Sequence, residues 1–501
     1  MLPLARCLAR FGWELWASEG TAAALTEAGL AVRRLAELTG MTSLLGGRLK
    51  TLHPRVFAGV LARGTPQDQE ELARLETVPF DLVVVEFYPF EQAVQEGGRS
   101  WEQLVELIDV GGPALVRAAA KNHERVAVVC QRGQYQSVIE HLERTGGQLP
   151  DATMRRRLAE EAFRRTALYD QAVARALAGS SGEGLRFPER LELGGFRFWR
   201  RVRYGENPHQ QAAVYRTEQP VPSVVWGQML QGKELSYNNI ADACAAWELA
   251  LELAEQPAAV AIKHATPCGA AVAESLVLAY EKAYEADPVS IFGGVVALTR
   301  PVDRATAQAM ARTFLEVVVA PEFTPEAREV FAQKPNVRLV EVGSVQPPGE
   351  GLQLRSIPGG LLVQTEDRVD LDPSRLRTVT KVAVAERLWP DLRFAWRVAK
   401  HARSNAIVVA REGQTVGIGA GQVSRIDAAR QALQKAGEKA RGAVLASDGF
   451  FPFADVVELA AQYGIAAIIQ PGGSIRDHES ITAADRAGIA MVFTGIRHFR
   501  H

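Results

Sequence analysis

Short apolar runs alternate with helical segments along the first part of the chain. Residues 82–87 (LVVVEF) and 125–130 (RVAVVC) are rich in valine, as buried parallel strands usually are. Residues 101–108 and 112–120 lie between these runs, and their patterns predict helices. This alternation predicts a fold of the α/β class.

A longer helix is predicted over residues 151–178, with Asp151 as its N-cap and apolar residues along one face. It leads into residues 179–184 (GSSGEG), whose composition is typical of a linker. We therefore predict a first domain over residues 1–180 and a second region over residues 186–501.

The second region again mixes strands and helices. A loop is predicted at residues 347–351 (PPGEG), and a hairpin is predicted about Glu412-Gly413. We expect two α/β lobes of similar element order, about residues 186–350 and 351–501, although no clean sequence repeat relates them. Strands are predicted over residues 258–263, 292–298, 317–320, 337–342, 406–410 and 415–418.

The first residues do not follow the usual α/β order. Residues 3–11 predict a helix, and no strand precedes it. The loop after an opening strand often binds phosphate in this class of fold. We therefore expect the first domain to lack its first strand.

Charge and cysteine usage narrow the function classes. The 501 residues carry 57 basic and 58 acidic side chains, a net charge of −1, so no overall field attracts nucleic acid or an anionic membrane. Four scattered cysteines without a Cys-x-x-Cys favour neither a disulfide framework nor a cysteine-based zinc site. No apolar stretch approaches the ~18 residues that span a bilayer. We expect a cytoplasmic protein.

Three polar turns combine glycine with functional side chains. Residues 46–54 (GGRLKTLHP) and 108–113 (IDVGGP) could bind a phosphate monoester, or they could be an ordinary basic turn and a helix start. Residues 203–210 (RYGENPHQ) carry more functional groups than a turn needs.

Lys263 and His264 lie at the end of a predicted strand, where scaffolds usually present reactive groups. The histidine can take a proton near neutral pH, and the lysine can polarise a carbonyl group or lower the pKa of the histidine. The alternative is a strand-end histidine that is hydrogen-bonded to backbone.

Two further segments are rich in glycine or phenylalanine. Residues 417–422 (GIGAGQ) lack the G-x-G-x-x-G spacing, so a dinucleotide site is rejected in favour of close backbone approach to a ligand or a neighbouring strand. Residues 450–455 (FFPFAD) could form an aromatic wall ending in a carboxylate, or they could be core.

Taken together, these segments resemble the AICAR transformylase/IMP cyclohydrolase family over nearly the whole chain. The motifs that carry the resemblance, in order, are GRLKTLHP, IDVGGPALVRAAAKNH, RYGENPHQ, LQGKELSYNN, KHATPCG, DPVSIFGG, SNAIV, GIGAGQVSR, SDGFFPFAD, QPGGSIRD and TGIRHFRH. The resemblance implies an α/β fold, with a methylglyoxal-synthase-like domain followed by two cytidine-deaminase-like lobes without zinc. It also implies a homodimer with transformylase sites built across the interface.

The resemblance implies two reactions of de novo purine biosynthesis. A formyl group passes from 10-formyltetrahydrofolate to the amine of AICAR, giving formyl-AICAR and tetrahydrofolate, and formyl-AICAR then closes to IMP with loss of water. The folate is a co-substrate, so the resemblance implies no tightly bound cofactor and no metal site, and it allows a monovalent cation.

The resemblance also implies the site residues. For the transformylase, Lys263, His264 and Asn405 match catalytic positions, and the substrate-binding positions are Arg203, Tyr204, Arg425, Arg497, Phe292 and Asp455. For the cyclohydrolase, the catalytic positions are Lys50, Tyr88, Asp109 and Lys121, and the binding positions are Arg48, Thr51 and Gly111.

Departures from the family pattern concentrate in the first domain. No V-S-D-K-T-G loop precedes Pro3, and Glu19 interrupts the usual S-T-G-G-T-A. Gly46-Gly47-Arg48 lacks the usual Asp of the D-G-R segment, and Glu86 replaces an Asn. In the transformylase motifs, Thr266 replaces an Asn. Two added carboxylates should repel a phosphate, so we expect slow ring closure.

Alternatives remain from the sequence alone. The chain could be a transformylase with an inactive cyclohydrolase domain, a fully bifunctional enzyme with an upstream strand, or a non-catalytic nucleotide-binding homologue. A zinc deaminase is disfavoured by the cysteine spacing.

Overall fold

The computed structural model describes residues 1–179, 187, 191, 195–217, 220–346 and 351–501. The chain divides into two units, Met1–Gly194 and Gly195–His501. Most of the predicted linker and of the loop predicted at 347–351 lies outside the described residues. The domain boundary predicted at residue 180 falls in the same stretch and stays a prediction.

The first unit contains two short parallel strand pairs and helices, as the α/β pattern predicted. The strands predicted at 82–87 and 125–130 form but are shorter, and the helix predicted at 3–11 forms at the N-terminus. The strands are β1 (Trp16–Ala17), β2 (Arg33–Arg34), β3 (Leu82–Val84) and β4 (Ala127–Val129). The helices are α1 (Leu2–Arg10), α2 (Glu19–Glu27), α3 (Leu35–Thr39), α4 (Pro54–Leu61), α5 (Pro66–Arg74), α6 (Phe90–Glu96), α7 (Trp101–Val105), α8 (Gly111–Lys121), α9 (Tyr135–Thr145) and α10 (Ala152–Gly179).

Parallel pairing of β3 with β4 positions the polar residues of this unit. Val83 pairs with Val128, so both strands point the same way and their carboxyl ends meet at one edge. Ligands of α/β folds usually bind at that edge. The predicted N-cap of α10 is confirmed, because the Met154 amide donates to Asp151 at 2.9 Å.

The described residues of the second unit form one large sheet, two separate hairpins and several helices. Its strands are β5 (Phe196–Val202), β6 (Ala212–Thr217), β7 (Gln228–Gln231), β8 (Ala258–Lys263), β9 (Thr266–Val272), β10 (Gly294–Leu298), β11 (Leu315–Ala320), β12 (Arg338–Glu341), β13 (Leu352–Ile357), β14 (Gly360–Thr365), β15 (Arg377–Thr378), β16 (Ile407–Arg411), β17 (Gln414–Gly419), β18 (Val444–Ser447), β19 (Ala467–Gln470) and β20 (Ala490–Phe493).

Eight helices of the described chain belong to this unit. They are α11 (Tyr237–Glu252), α12 (Leu276–Ala286), α13 (Arg304–Met310), α14 (Pro325–Ala332), α15 (Trp389–His401), α16 (Arg425–Ala436), α17 (Asp455–Gln462) and α18 (Asp477–Ala487). Within the described residues, no helix is both long enough and apolar enough to cross a membrane.

The large sheet contains the same topology twice. Its strand order is β15-β20-β19-β18-β16-β17-β9-β8-β10-β11-β12-β7. In the first lobe, β8 and β9 form a hairpin, β10 runs antiparallel to β8, and β11 and β12 follow in parallel. In the second lobe, β16 and β17 form the hairpin, followed by β18, β19 and β20 in the same relation. The similar element order predicted for the two lobes is confirmed.

Alternate residues of the central strands face two different cores. Val260 and Val408 lie in a core shared by both lobes, beneath α11 and α15. Ala259 lies in the outer core of the first lobe, and Val409 lies in that of the second. Since both faces of the sheet are covered, its strands are apolar throughout, as the valine-rich runs predicted.

The glycines of residues 417–422 allow a helix to pack tightly on β17. A Cβ atom on Gly417 or Gly419 would overlap the carbonyl oxygen of Ala432 or Ala428 in α16. The predicted close approach therefore exists, but its partner is a helix. The prediction of a ligand or a neighbouring strand at this segment was wrong, because the packing of α16 cannot be inferred from local sequence.

We predict that Gly419→Ala lowers the free energy of unfolding by at least about 1–3 kcal/mol, because the added methyl group must displace α16. Gly360→Ala is the control, since its Cβ would meet only the Ile357 side chain at 4.0 Å. Urea unfolding of both variants measures the difference. Equal stability of the two variants would contradict this packing.

Candidate active sites

The turn between β8 and β9 presents the predicted catalytic pair. His264 and Ala265 both adopt left-handed backbone conformations, with φ of 53° and 55°. Two such residues in succession form the tight hairpin turn that matches the twist of the flanking strands. The Ala265 amide donates to Oδ1 of Asp242 at 2.7 Å, which ties the turn to α11. The His264 side chain is exposed at the tip.

The ammonium group of Lys263 is held beside this histidine by backbone carbonyls. Its Nζ donates to the carbonyl oxygens of Phe292 at 2.8 Å and Gly293 at 3.0 Å, just before β10. A Cβ on Gly293 would lie 3.2 Å from Nζ, so a bare backbone is needed for this approach. An ammonium group has three donors. One therefore remains for a substrate oxygen.

Antiparallel pairing of β9 with β17 brings Asn405 to the same end of the sheet as His264. Ala271 pairs with Gln414, so the start of β9 lies beside the end of β17. Beyond that end, the Asn405 side chain donates to the carbonyl oxygen of Gln422 at 2.9 Å. The structure thus brings the three predicted catalytic residues of the transformylase to the same end of the sheet.

Arg425, a predicted substrate ligand, is buried in an ion pair with Asp448. The same carboxylate accepts hydrogen bonds from the Ser404 hydroxyl and from the Ala406 amide, the latter at 3.0 Å. Asp448 therefore orders the segment that carries Asn405, and Arg425 neutralises it. Asp448 was not predicted from the sequence, although its place between a buried strand and Gly449 was a signal of function.

The remaining predicted transformylase residues are more exposed and more dispersed. Arg203 lies 5.7 Å from the ring of Tyr204 in the loop of the β5–β6 hairpin, and Arg497 lies 4.6 Å from the ring of Phe499. Phe292 is 61% exposed and contacts Phe314, and its own carbonyl holds Lys263. The described contacts do not join Arg203, Tyr204 or Arg497 to the Lys263 turn.

Residues 450–455 combine the two roles considered for them. Phe451 is fully buried, so the core interpretation holds for it, whereas Phe450 and Phe453 are 39% and 50% exposed. Asp455 is half-buried at the start of α17, and its carboxylate accepts the Val456 amide at 2.8 Å.

In the first unit, most predicted cyclohydrolase residues come together. Lys50 Nζ donates to the Tyr88 hydroxyl at 3.2 Å, and the Thr51 hydroxyl would lie 3.1 Å from a Cβ on Gly111. The Asp109 carboxylate accepts the Gly112 amide at 2.8 Å at the start of α8. These contacts form one polar site.

Two predicted cyclohydrolase residues lie apart from this site. Arg48 forms an exposed ion pair with Glu106. Lys121 ends the helix that Gly111 begins, so the helical rise separates their backbones by about 15 Å. Lys121 instead lines a cavity of about 560 Å³ beside Phe57, Leu61 and Phe163.

Both unexpected carboxylates of this unit have basic partners. Glu19 pairs with Arg34 at 3.2 Å, and Glu86 pairs with Arg132 at 2.9 Å. Glu86 also accepts the Tyr135 hydroxyl. Burial disfavours the charged form of Glu86, but these two hydrogen bonds outweigh it, so its pKa is lowered. The carboxylate is ionised and compensated, which the sequence could not reveal.

The described residues thus form two candidate active sites, one on each α/β unit, and the sheet of the second unit contains the same topology twice. A family model described as "MGS-like domain" matches residues 1–114, and one described as "AICARFT/IMPCHase bienzyme" matches residues 119–435. The chain belongs to the AICARFT/IMPCHase bienzyme family. The family predicted from the sequence motifs is confirmed.

Three curated relatives, each named "Bifunctional purine biosynthesis protein PurH", match this chain over nearly their full length. The Cyanothece protein is 49% identical over 98% of this chain and 95% of its own. The Rhodospirillum rubrum protein is 49% identical over 100% and 96%, and the Sorangium cellulosum protein is 50% identical over 100% and 97%. A solved structure entitled "Crystal structure of ForH" is 42% identical over 36% of this chain and 93% of its own, with a TM-score of 0.33.

Proposed function

We propose that Lys263, His264 and Asn405 carry the formyl transfer of this bifunctional enzyme of purine biosynthesis, with 10-formyltetrahydrofolate as donor and AICAR as acceptor. The single observation that supports this most is the β8–β9 turn, which exposes an imidazole beside a fixed ammonium group. The IMP cyclohydrolase activity is assigned to the Lys50–Tyr88–Asp109 site.

The AICAR amine is a weak nucleophile because its lone pair is delocalised into the imidazole ring. His264 accepts its proton as the nitrogen attacks the formyl carbon. Charge then develops on the formyl oxygen, where the free donor of Lys263 and the Asn405 amide stabilise it. The bond from carbon to the folate nitrogen breaks, that nitrogen takes a proton, and tetrahydrofolate leaves with formyl-AICAR as the second product.

Ring closure to IMP requires the carboxamide nitrogen of formyl-AICAR to attack the formyl carbon. The formyl oxygen then leaves as water, and the nitrogen that carried the formyl group loses its proton as the C=N bond of the ring forms. Lys50 donates a hydrogen bond to the Tyr88 hydroxyl. One of the two groups can therefore donate a proton to the leaving oxygen while the other stabilises the group that has lost it. Asp109, which precedes α8, accepts a proton from the attacking nitrogen in this proposal, and Thr51 and Gly111 serve as binding positions near it.

Lys121 fits this site only if a second copy of the chain supplies it. It lies about 15 Å along α8 from Gly111, beyond the reach of its own side chain. Around it, Leu61 and Phe163 are 38% and 47% exposed, an apolar surface that another subunit could cover. This supports a homodimer.

The proposal extends to the fold and the ligands. The repeated hairpin-plus-three-strand topology supports two cytidine-deaminase-like lobes in the second unit. The folate acts as a co-substrate, no cofactor is bound tightly, and a monovalent cation can be accommodated. Neither nucleic acid nor a membrane takes part, and the cytoplasm is the proposed location.

Replacing His264 by Ala should slow formyl transfer by about 10²–10⁴-fold, because the general base is lost. Tetrahydrofolate release from AICAR and 10-formyltetrahydrofolate measures it. Cyclohydrolase activity on formyl-AICAR should stay unchanged, since its proposed site lies in the other unit. His478→Ala on the exposed surface of α18 is the control. Unchanged formyl transfer in His264→Ala would contradict the assigned role.

Replacing Arg132 by Ala should raise the KM for formyl-AICAR by about fivefold, because it leaves Glu86 free to repel the phosphate. The double variant Glu86→Asn/Arg132→Ala should restore the KM, which a merely structural role of Arg132 does not predict. Arg164→Ala, an exposed arginine of α10 paired with Glu160, is the control. A KM that rises equally in the single and double variants would refute the compensation.

Mixing Lys50→Ala and Lys121→Ala subunits should recover about a quarter of the wild-type cyclohydrolase activity, because half of the mixed population are heterodimers with one intact site. Mixing Lys50→Ala with Tyr88→Phe should recover none, since those residues share one chain's site. The variants are refolded together and assayed for IMP. No recovery in the first mixture would show that Lys121 acts within its own chain or not at all.

A further inference from the structure

We infer that the second unit holds a separate ligand site that binds a flat aromatic phosphate, of the purine nucleoside monophosphate class. Its place is a cavity of about 1300 Å³ at the turn between β16 and β17. This site takes no part in the two proposed reactions. The turn that borders it is the counterpart, in the second lobe, of the β8–β9 turn.

The two hairpin turns share the same backbone design. Glu412 and Gly413 have φ of 53° and 70°, like His264 and Ala265 in the first lobe. The Asp391 carboxylate accepts the amides of Glu412 at 2.9 Å and Gly413 at 2.7 Å. Asp391 lies in α15 as Asp242 lies in α11, so each turn is anchored to the helix that precedes its hairpin.

The cation at the end of the first strand is duplicated as well. Arg411 ends β16 as Lys263 ends β8, and it donates to the carbonyl oxygen of Arg441 at 3.3 Å, just before β18. Lys263 contacts the carbonyls just before β10 in the same way. Glu412 takes the place of His264 and turns its carboxylate to Arg411 at 3.2 Å. The second turn therefore has the same backbone arrangement as the first but lacks the histidine that could act as a neutral base. This difference favours ligand binding over proton transfer.

Three arginines of the cavity lining make no hydrogen bond to a carboxylate within the described chain. Arg397 is paired with Glu255 and Asp370, and Arg411 is paired with Glu412. Among the described residues, Arg387, Arg393 and Arg441 have no hydrogen-bonded carboxylate partner, so their donors are available to a ligand.

The same cavity also has an apolar surface on which a flat ring can pack. Trp389, Leu371 and Leu376 are half-buried and form its apolar part. Ligand pockets combine an apolar lining with a few polar groups. The guanidinium groups of Arg393 and Arg441 suit a phosphate because each can donate two parallel hydrogen bonds. Trp389 and the arginines together suit a phosphorylated heterocycle.

Equilibrium dialysis of the full chain with AMP tests this site. The wild-type protein should bind one more AMP per chain than Arg393→Ala/Arg441→Ala, whose affinity at this cavity should fall at least about tenfold. Arg430→Ala, an exposed arginine of α16 outside the cavity, should keep the wild-type stoichiometry. Adenosine should not bind there, because it lacks the phosphate, and inorganic phosphate should compete with AMP.

Two outcomes overturn the inference. Equal AMP stoichiometry in the wild type and the double variant would show that the cavity binds no nucleotide. Adenosine binding that the double variant abolishes equally would show that the arginines do not recognise a phosphate. Formyl transfer by the double variant, measured in parallel, should remain at the wild-type rate, so a loss of AMP binding cannot be ascribed to unfolding. Loss of both would also overturn it.

Discussion

The pairing of β9 with β17 is the interaction on which the second unit depends. The Val272 amide donates to the Gly413 carbonyl oxygen at 2.8 Å, and the Thr415 hydroxyl contacts the backbone of Ala270 inside the sheet. These bonds join two lobes into one sheet with a shared core beneath α11 and α15. They also place the β8–β9 turn beside the segment of Asn405. Without this register, the residues proposed for formyl transfer would not lie at the same end of the sheet.

Duplication of the lobe explains why similar turns have different chemistry. Each turn is a pair of left-handed residues anchored by an aspartate of the preceding helix. In the first lobe, the anchored turn presents a histidine, and in the second, it presents a glutamate that is already paired. The backbone fixes where a functional group stands, and the side chain at that position decides whether it transfers protons or helps to bind a ligand.

In the first unit, the pairing of carboxylates with arginines is equally important. Glu86 and Glu19 look harmful to phosphate binding when the sequence is taken alone, yet each lies against an arginine that is distant along the chain. Arg425 shows the reverse case, because a cation predicted to bind substrate is paired with buried Asp448. An ion pair between residues far apart in sequence can thus cancel or redirect the charge that a local motif suggests.

The sequence by itself determined the α/β class, most strands and helices, the hairpin about Glu412-Gly413, the order of the two lobes and the family, since these follow from local periodicity, turn residues and contiguous motifs. Only the tertiary structure decided which charges remain free, that α16 rather than a ligand or a neighbouring strand fills the space beside Gly419, and that Lys121 stands apart from Asp109. The physical reason is distance: these outcomes depend on contacts between residues far apart in the chain or on the length of a rigid helix, and the side-chain pattern of one segment contains neither.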